Sequence, residues 1–230
     1  LPLKNIITSI IPDFFGHPAT GNYFGQGFYD NFSYFTGTLT IVFFVYSLFL
    51  IKKNINIKFW SGILFLSLLL VFNNPVGQTL EKIFFLSGGV SARALFLTDF
   101  SLSVILAFSF DCYIKEKSEK NNIIFSFLLI GLLFSISLYY AQWFSPEFKL
   151  VSERNMIIPF IVWTISFILA MLLFCKGKLI RTVSLFLLLI IISGQLIYSA
   201  KKYLPFSPEK YFYPDTPITD FLKKKTSETS

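Results

Sequence analysis

The feature that most constrains this chain is a series of long apolar runs, each closed by a cluster of lysines or a polar break. The runs are about Tyr34–Ile51, Phe59–Phe72, Ala92–Tyr113, Ile123–Tyr140, Met156–Cys175 and Thr182–Tyr198. A soluble domain cannot bury so many apolar stretches in one core, because its surface is mostly polar and its core is limited in size. Of the 230 residues 54% are hydrophobic and only 14% are charged, and 30 are Phe. Soluble domains carry about 25% charge. The solvent for these runs is lipid. The expected fold is all-α: a polytopic transmembrane bundle of about six spans.

The flanks divide the chain. Residues 1–33 read as an irregular outer loop rich in Gly, Pro, Phe and Tyr, lying at the membrane interface. Residues 34–200 hold the six-span bundle. Residues 201–230 read as a polar outer tail, the opening of a soluble domain cut short, in which Asp215 or Thr216 caps a helix with Pro217 near its first position. The second run is short for a crossing of about 20 residues. Asn73-Asn74-Pro75 stops it, and Thr79–Leu86 (TLEKIFFL) follows as a short amphipathic helix on the membrane surface. Ser91 is placed to cap the third span, and Pro159 falls in the first turn of the fifth. The first residue is Leu and the last residues break off in a helix, so the chain reads as a piece of a longer protein.

The net charge of +7 raises the question of nucleic acid. Its distribution answers with topology instead. Lys52, Lys53 and Lys58 follow the first run, Lys115, Lys117 and Lys120 the third, and Lys176, Lys178 and Arg181 the fifth. The other side has Lys82, Arg93, Lys149 and Arg154. The more basic side is expected in the cytoplasm, which sends both ends of the chain and the loops of Arg93 and Arg154 outward. No nucleic-acid partner is expected. Cys112 and Cys175 are isolated thiols with neither metal nor disulfide spacing.

Candidate chemistry is sparse. Ser87–Tyr113 reads SGGVSARALFLTDFSLSVILAFSFDCY, with Arg93 at its mouth and Asp99 inside. A carboxylate in an apolar span faces a protein interior or a wet cavity, and marks function by default. Six residues on a helix turn through about 240° net, so Arg93 and Asp99 do not stack as a pair. Arg93 is suited to a phosphate oxyanion at the outer leaflet, or to anchoring the span at the interface. Asp99 is a catalytic or pathway candidate, or a structural carboxylate bonded to a neighbouring span. Asp111 reads as a solvated end residue, and Glu153–Arg154 as an interfacial ion pair. Asp13, the sole histidine His17, and Asp30 are outer-loop candidates for acid–base work. Arg154 and His17 join Arg93 as substrate-binding candidates. No metal motif, P-loop or dinucleotide fingerprint is present, and no cofactor is indicated.

Three stretches carry a resemblance. They are GQGFYDNFSYFTG before the first span, ARALFLTDFSLSVILAFSFD in the third, and FSPEKYFYPDTPITDFLKK after the last. Together they resemble the second half of the bacterial YfhO-type membrane proteins, which are similar to the large GT-C glycosyltransferases. The resemblance implies an enzyme that transfers sugar from a polyprenyl-phosphate carrier to a cell-envelope polymer, such as a teichoic acid, at the outer face of the bacterial cytoplasmic membrane. It implies a lipid-carrier role for Arg93. The catalytic acid of such enzymes lies in a first outer loop that this chain lacks. Asp30 stands where the usual pattern has an acidic residue before a span. A rival reading is a transporter or lipid flippase with Asp99 in its pathway, against which no repeated half with paired broken helices is found. A third is a non-catalytic scaffold of envelope assembly.

Overall fold

The computed structural model describes residues 2–29, 33–72, 74–83, 94–115, 120–203 and 216–227. Arg93, Asp30, Ser91, Phe84–Leu86 and most of the outer tail lie outside the described residues. Among the described residues every regular element is a helix. Two short 3-10 turns, Leu3–Ser9 and Pro18–Thr20, precede α1 (Thr38–Leu50), α2 (Ile55–Val71), α3 (Pro75–Ile83), α4 (Leu95–Lys115), α5 (Lys120–Ala141), α6 (Pro146–Leu172), α7 (Lys178–Tyr203) and α8 (Pro217–Ser227).

Helix α1 is the hub. Its sequence, TLTIVFFVYSLFL, is apolar on every side, the pattern of a helix enclosed by others. Leu39, Val42, Phe43, Tyr46 and Leu50 are buried, and α4, α5 and α6 pack around it. Helix α2 packs chiefly on α4, α5 on α6, and α6 on α7. The bundle is tightened by buried serines, which let helices approach and return their hydroxyls to their own backbone. Ser67 Oγ donates to the Leu64 carbonyl at 2.8 Å, Ser126 Oγ to Asn122 at 2.8 Å and Ser137 Oγ to Leu133 at 2.8 Å. Gly131 admits the Trp163 ring: a Cβ there would lie 2.9 Å from the ring's Cζ2.

Among the described residues four helices, α4 to α7, are long and apolar enough to cross a membrane. Helices α1 and α2 are 13 and 17 residues long and bend by 119° at their junction, so the pair adds one more span if counted together. Only 17–33% of the residues in each crossing window are buried inside the protein. Leu128, Leu132, Ile161, Ile168, Ile190 and Ile197 all face outward. Apolar surface of that extent needs hydrocarbon against it, and the chain is a multi-pass membrane protein.

Pro159 does not lie in the first turn of its span: α6 begins at Pro146, so the polar residues 146–155 before the fifth run are helical and Pro159 lies well inside the helix. Ser152, Met156 and Pro159 recur at helical spacing on the buried side, so tertiary burial carries the helix through the polar stretch. The amphipathic helix starts at Pro75 rather than Thr79. Asn74 caps it, accepting from Gly77 N at 2.8 Å, and Pro75 fits the first position because its absent N–H would be unpaired there. At the other end of the chain Thr216 caps α8, its Oγ1 accepting from Thr219 N at 3.2 Å.

Candidate functional site

The N-terminal residues carry enough apolar side chains to fold rather than trail. Ile10, Ile11, Phe14 and Phe15 join the main core. Phe14 stacks on Tyr140, and Phe24 on Phe148, the latter with centroids 4.3 Å apart. Residues 2–29 thereby close the end of the bundle where α5 passes into α6. Ser152 Oγ donates to the Phe14 carbonyl at 2.8 Å, and Asn155 Nδ2 to the Asp13 carbonyl at 2.6 Å. At Gly16 the backbone turns with φ of +80°, and a Cβ would sit 2.1 Å from the Asn22 carbonyl oxygen. That turn folds His17 back onto Asn22, whose Oδ1 accepts from His17 N at 2.9 Å.

Between this segment, α6 and α7 lies a cavity of about 440 Å³. The N-terminal segment contributes Asp13, His17 and Thr20, α6 contributes Leu150, Arg154, Asn155 and Ile158, and α7 contributes Gln195, Tyr198 and Lys202. Arg154 heads the apolar part of α6 and Lys202 closes that of α7. Both cations therefore stand where a hydrocarbon region gives way to headgroups. The Lys202 ammonium lies 2.5 Å from Asp13 Oδ2, and Tyr29 donates its hydroxyl to Asp13 Oδ1 at 2.8 Å. The buried carboxylate is thus paired on both oxygens. Arg154 forms no ion pair or hydrogen bond among the described residues, and it is an exposed residue lining the cavity.

His17 is 5% exposed and lies against the Tyr29 ring, with centroids 4.6 Å apart. Burial lowers its pKa, Asp13 opposes that shift and Lys202 reinforces it. Its Nδ1 accepts from Ala19 N at 3.0 Å, so the neutral ring carries its proton on Nε2. Pro159 has no N–H to give the carbonyl of Asn155 one turn back, and both residues line the cavity. The space combines a free guanidinium, a shared ammonium, polar groups and the apolar walls of Leu150 and Ile158. Such a set suits an anionic headgroup attached to an apolar chain.

The cavity brings together His17, Arg154 and Asp13. Asp99 is elsewhere, near the start of α4, with its Oδ1 buried and without a hydrogen-bond partner among the described residues. Its neighbour Thr98 shares a hydrogen bond of 2.9 Å with Ser67 of α2. The expected Glu153–Arg154 pair is not formed. Glu153 faces back along α6 to Lys149, at 3.8 Å, and accepts from Gln142 Nε2 at 3.2 Å. Helical spacing explains this, since residues four apart share a face and adjacent ones diverge. Asp111 pairs with Lys115 at 2.7 Å on an exposed turn, as a solvated end residue would. Lys202 carried no functional signal in the sequence, because its partner lies 189 positions away.

Among the described residues no three of His, Cys, Asp or Glu gather as a metal site. No family model, curated protein or solved structure matches this chain.

Proposed function

We propose that the chain carries the lipid-carrier site of a membrane-embedded, glycosyltransferase-like protein with six spans, in which α1 and α2 form two of the crossings. The substrate is a polyprenyl-phosphate-linked sugar, and the product is a sugar-bearing polymer of the cell envelope. The observation that carries this reading is the guanidinium of Arg154, free among the described residues, at the headgroup level of a cavity walled partly by apolar side chains. The YfhO-type resemblance supplies the reaction class, and Arg93 remains in the proposal as a second outer cation. Lys52, Lys53, Lys115, Lys120, Lys176, Lys178 and Arg181 collect at the opposite end of the bundle. That asymmetry supports a bacterial cytoplasmic membrane location with the cavity and both chain ends outside.

In the proposed reaction an acceptor hydroxyl oxygen forms a bond to the anomeric carbon of the sugar, and its proton passes to a carboxylate. The bond from that carbon to the carrier phosphate breaks, and the electron pair leaves on the phosphate. Cations beside the departing phosphate stabilise its charge. Asp13, which lines the cavity, is held by Lys202 and Tyr29 and is not assigned that proton. The test is transfer of radiolabelled sugar from a prenyl-phosphate carrier in membranes holding the protein. Arg154→Gln should reduce transfer by on the order of a hundredfold. Undiminished transfer would remove the reading.

A second reading, a transporter or flippase, is favoured by one observation, the buried oxygen of Asp99 that has no hydrogen-bond partner among the described residues. Proton-coupled uptake that disappears in Asp99→Asn would select it over sugar transfer.

A further inference from the structure

Among the described residues the cavity is lined by two cations, Arg154 and Lys202, and one carboxylate, Asp13, which is paired with Lys202. The Asp13 side chain is 9% exposed and that of Lys202 is 32% exposed. Asp13 is fixed from two other directions, by the Tyr29 hydroxyl on its second oxygen and by Asn155 on its backbone carbonyl. Lys202 is a flexible stem ending in a point charge, with its ammonium also 5.5 Å from the Tyr198 ring centroid. Of the two partners, the lysine is the one able to move.

The sugar-linked carrier is a phosphodiester with one negative charge, which Arg154 alone matches. The prenyl phosphate released when the sugar is transferred is a monoester carrying about −1.5 to −2 charge at neutral pH. We infer that Lys202 is a shared cation, held by Asp13 in this structure and passed to the phosphate as a prenyl-phosphate monoester headgroup forms or binds there, with Arg154 as the fixed grip. This rests on the lipid-carrier reading of the same cavity and adds how the site is regulated. The transfer costs the Lys202–Asp13 pair, and that cost is what the carboxylate withholds from the ligand. Asp13 is not orphaned by it, since the Tyr29 hydroxyl stays on Oδ1. The carboxylate is then a competitor for ligand binding, acting through Lys202 alone.

The experiment is equilibrium binding of farnesyl phosphate, with inorganic phosphate in parallel, to the full chain in nanodiscs. Arg154→Gln and Lys202→Gln should each weaken binding by on the order of tenfold, as loss of a charge-assisted hydrogen bond does. Asp13→Asn should do the reverse and tighten binding by on the order of fivefold to tenfold. In a Lys202→Gln background Asp13→Asn should change nothing, which a structural role for Asp13 would not produce. Asp13→Ser also removes the charge with different packing, so the sign is readable if either variant folds. Unchanged or weaker binding in both Asp13 variants, with Arg154→Gln still weakened, overturns the shared cation and leaves the cavity reading standing. Unchanged binding in Arg154→Gln overturns the cavity reading itself. Farnesyl phosphate binding at least tenfold tighter than inorganic phosphate supports a lipid headgroup as the source. Equal affinities overturn the lipid source while the sign of the Asp13 effect still decides the sharing.

Discussion

Gln195 of α7 and Thr38 of α1 are joined by two hydrogen bonds. The amide Oε1 accepts from Thr38 N at 3.2 Å, and Nε2 donates to Thr38 Oγ1 at 2.8 Å. The residue before Thr38 is Gly37, which has no side chain to cap α1. Gln195 therefore does the capping from another helix. It also ties α7, the least buried of the crossing helices, to the hub.

Gln195→Ala should lower stability by about 1–2 kcal/mol, the range for losing a cap and leaving a buried donor unpaired. Unfolding in detergent, followed by tryptophan fluorescence, measures it. Gln195→Glu should recover part of the loss, since it keeps the acceptor for the Thr38 N–H.

Gly131→Ala tests the α5–α6 contact. Alanine favours a helix by up to about 1 kcal/mol over glycine. Overpacking against a fixed ring costs about 1–3 kcal/mol, and Trp163 is held by its Nε1 bond to the Phe127 carbonyl at 3.2 Å. The variant should be net destabilised. In a Trp163→Phe background the same change should become neutral or stabilising, and thermal melts of the four proteins decide it.

His17 makes stability depend on pH. Its folded pKa is lowered from 6.5, first by burial and then by Lys202, against the opposing pull of Asp13. The unfolded chain therefore binds a proton that the folded chain resists. Stability is fully present above about pH 6.5 and falls as pH drops through the lowered folded value. Melting curves from pH 8 to pH 5 should show this loss, and His17→Gln should flatten it.

The orientation is open to labelling. In a background with Cys112→Ser and Cys175→Ser, an impermeant maleimide applied to intact cells should react with Thr20→Cys, at the cavity, and spare Lys53→Cys. Reaction with Lys53→Cys alone would invert the bundle.

Much of the architecture was legible because it follows from local pattern. Lysine clusters closed the apolar runs where the helices end, and Thr216 and Asp111 behave as end residues should. What was hidden depends on contacts between distant segments. The stretch Pro146–Asn155 is polar enough to read as a connection, and it is helical because its buried face holds the N-terminal segment. The cavity was half visible: His17 and Arg154 stood out by residue type, and Asp13 by its place beside them. Lys202 looked like a tail boundary, since nothing local links it to Asp13. Glu153 and Arg154, neighbours in sequence, were read as a pair because charge was visible and helical phase was not.

The most direct measurement is a structure of the protein in nanodiscs with farnesyl phosphate. Phosphate density should lie against the Arg154 guanidinium, with the Lys202 ammonium turned from Asp13 onto the phosphate. Phosphate bound elsewhere, with Lys202 still on Asp13, would contradict it.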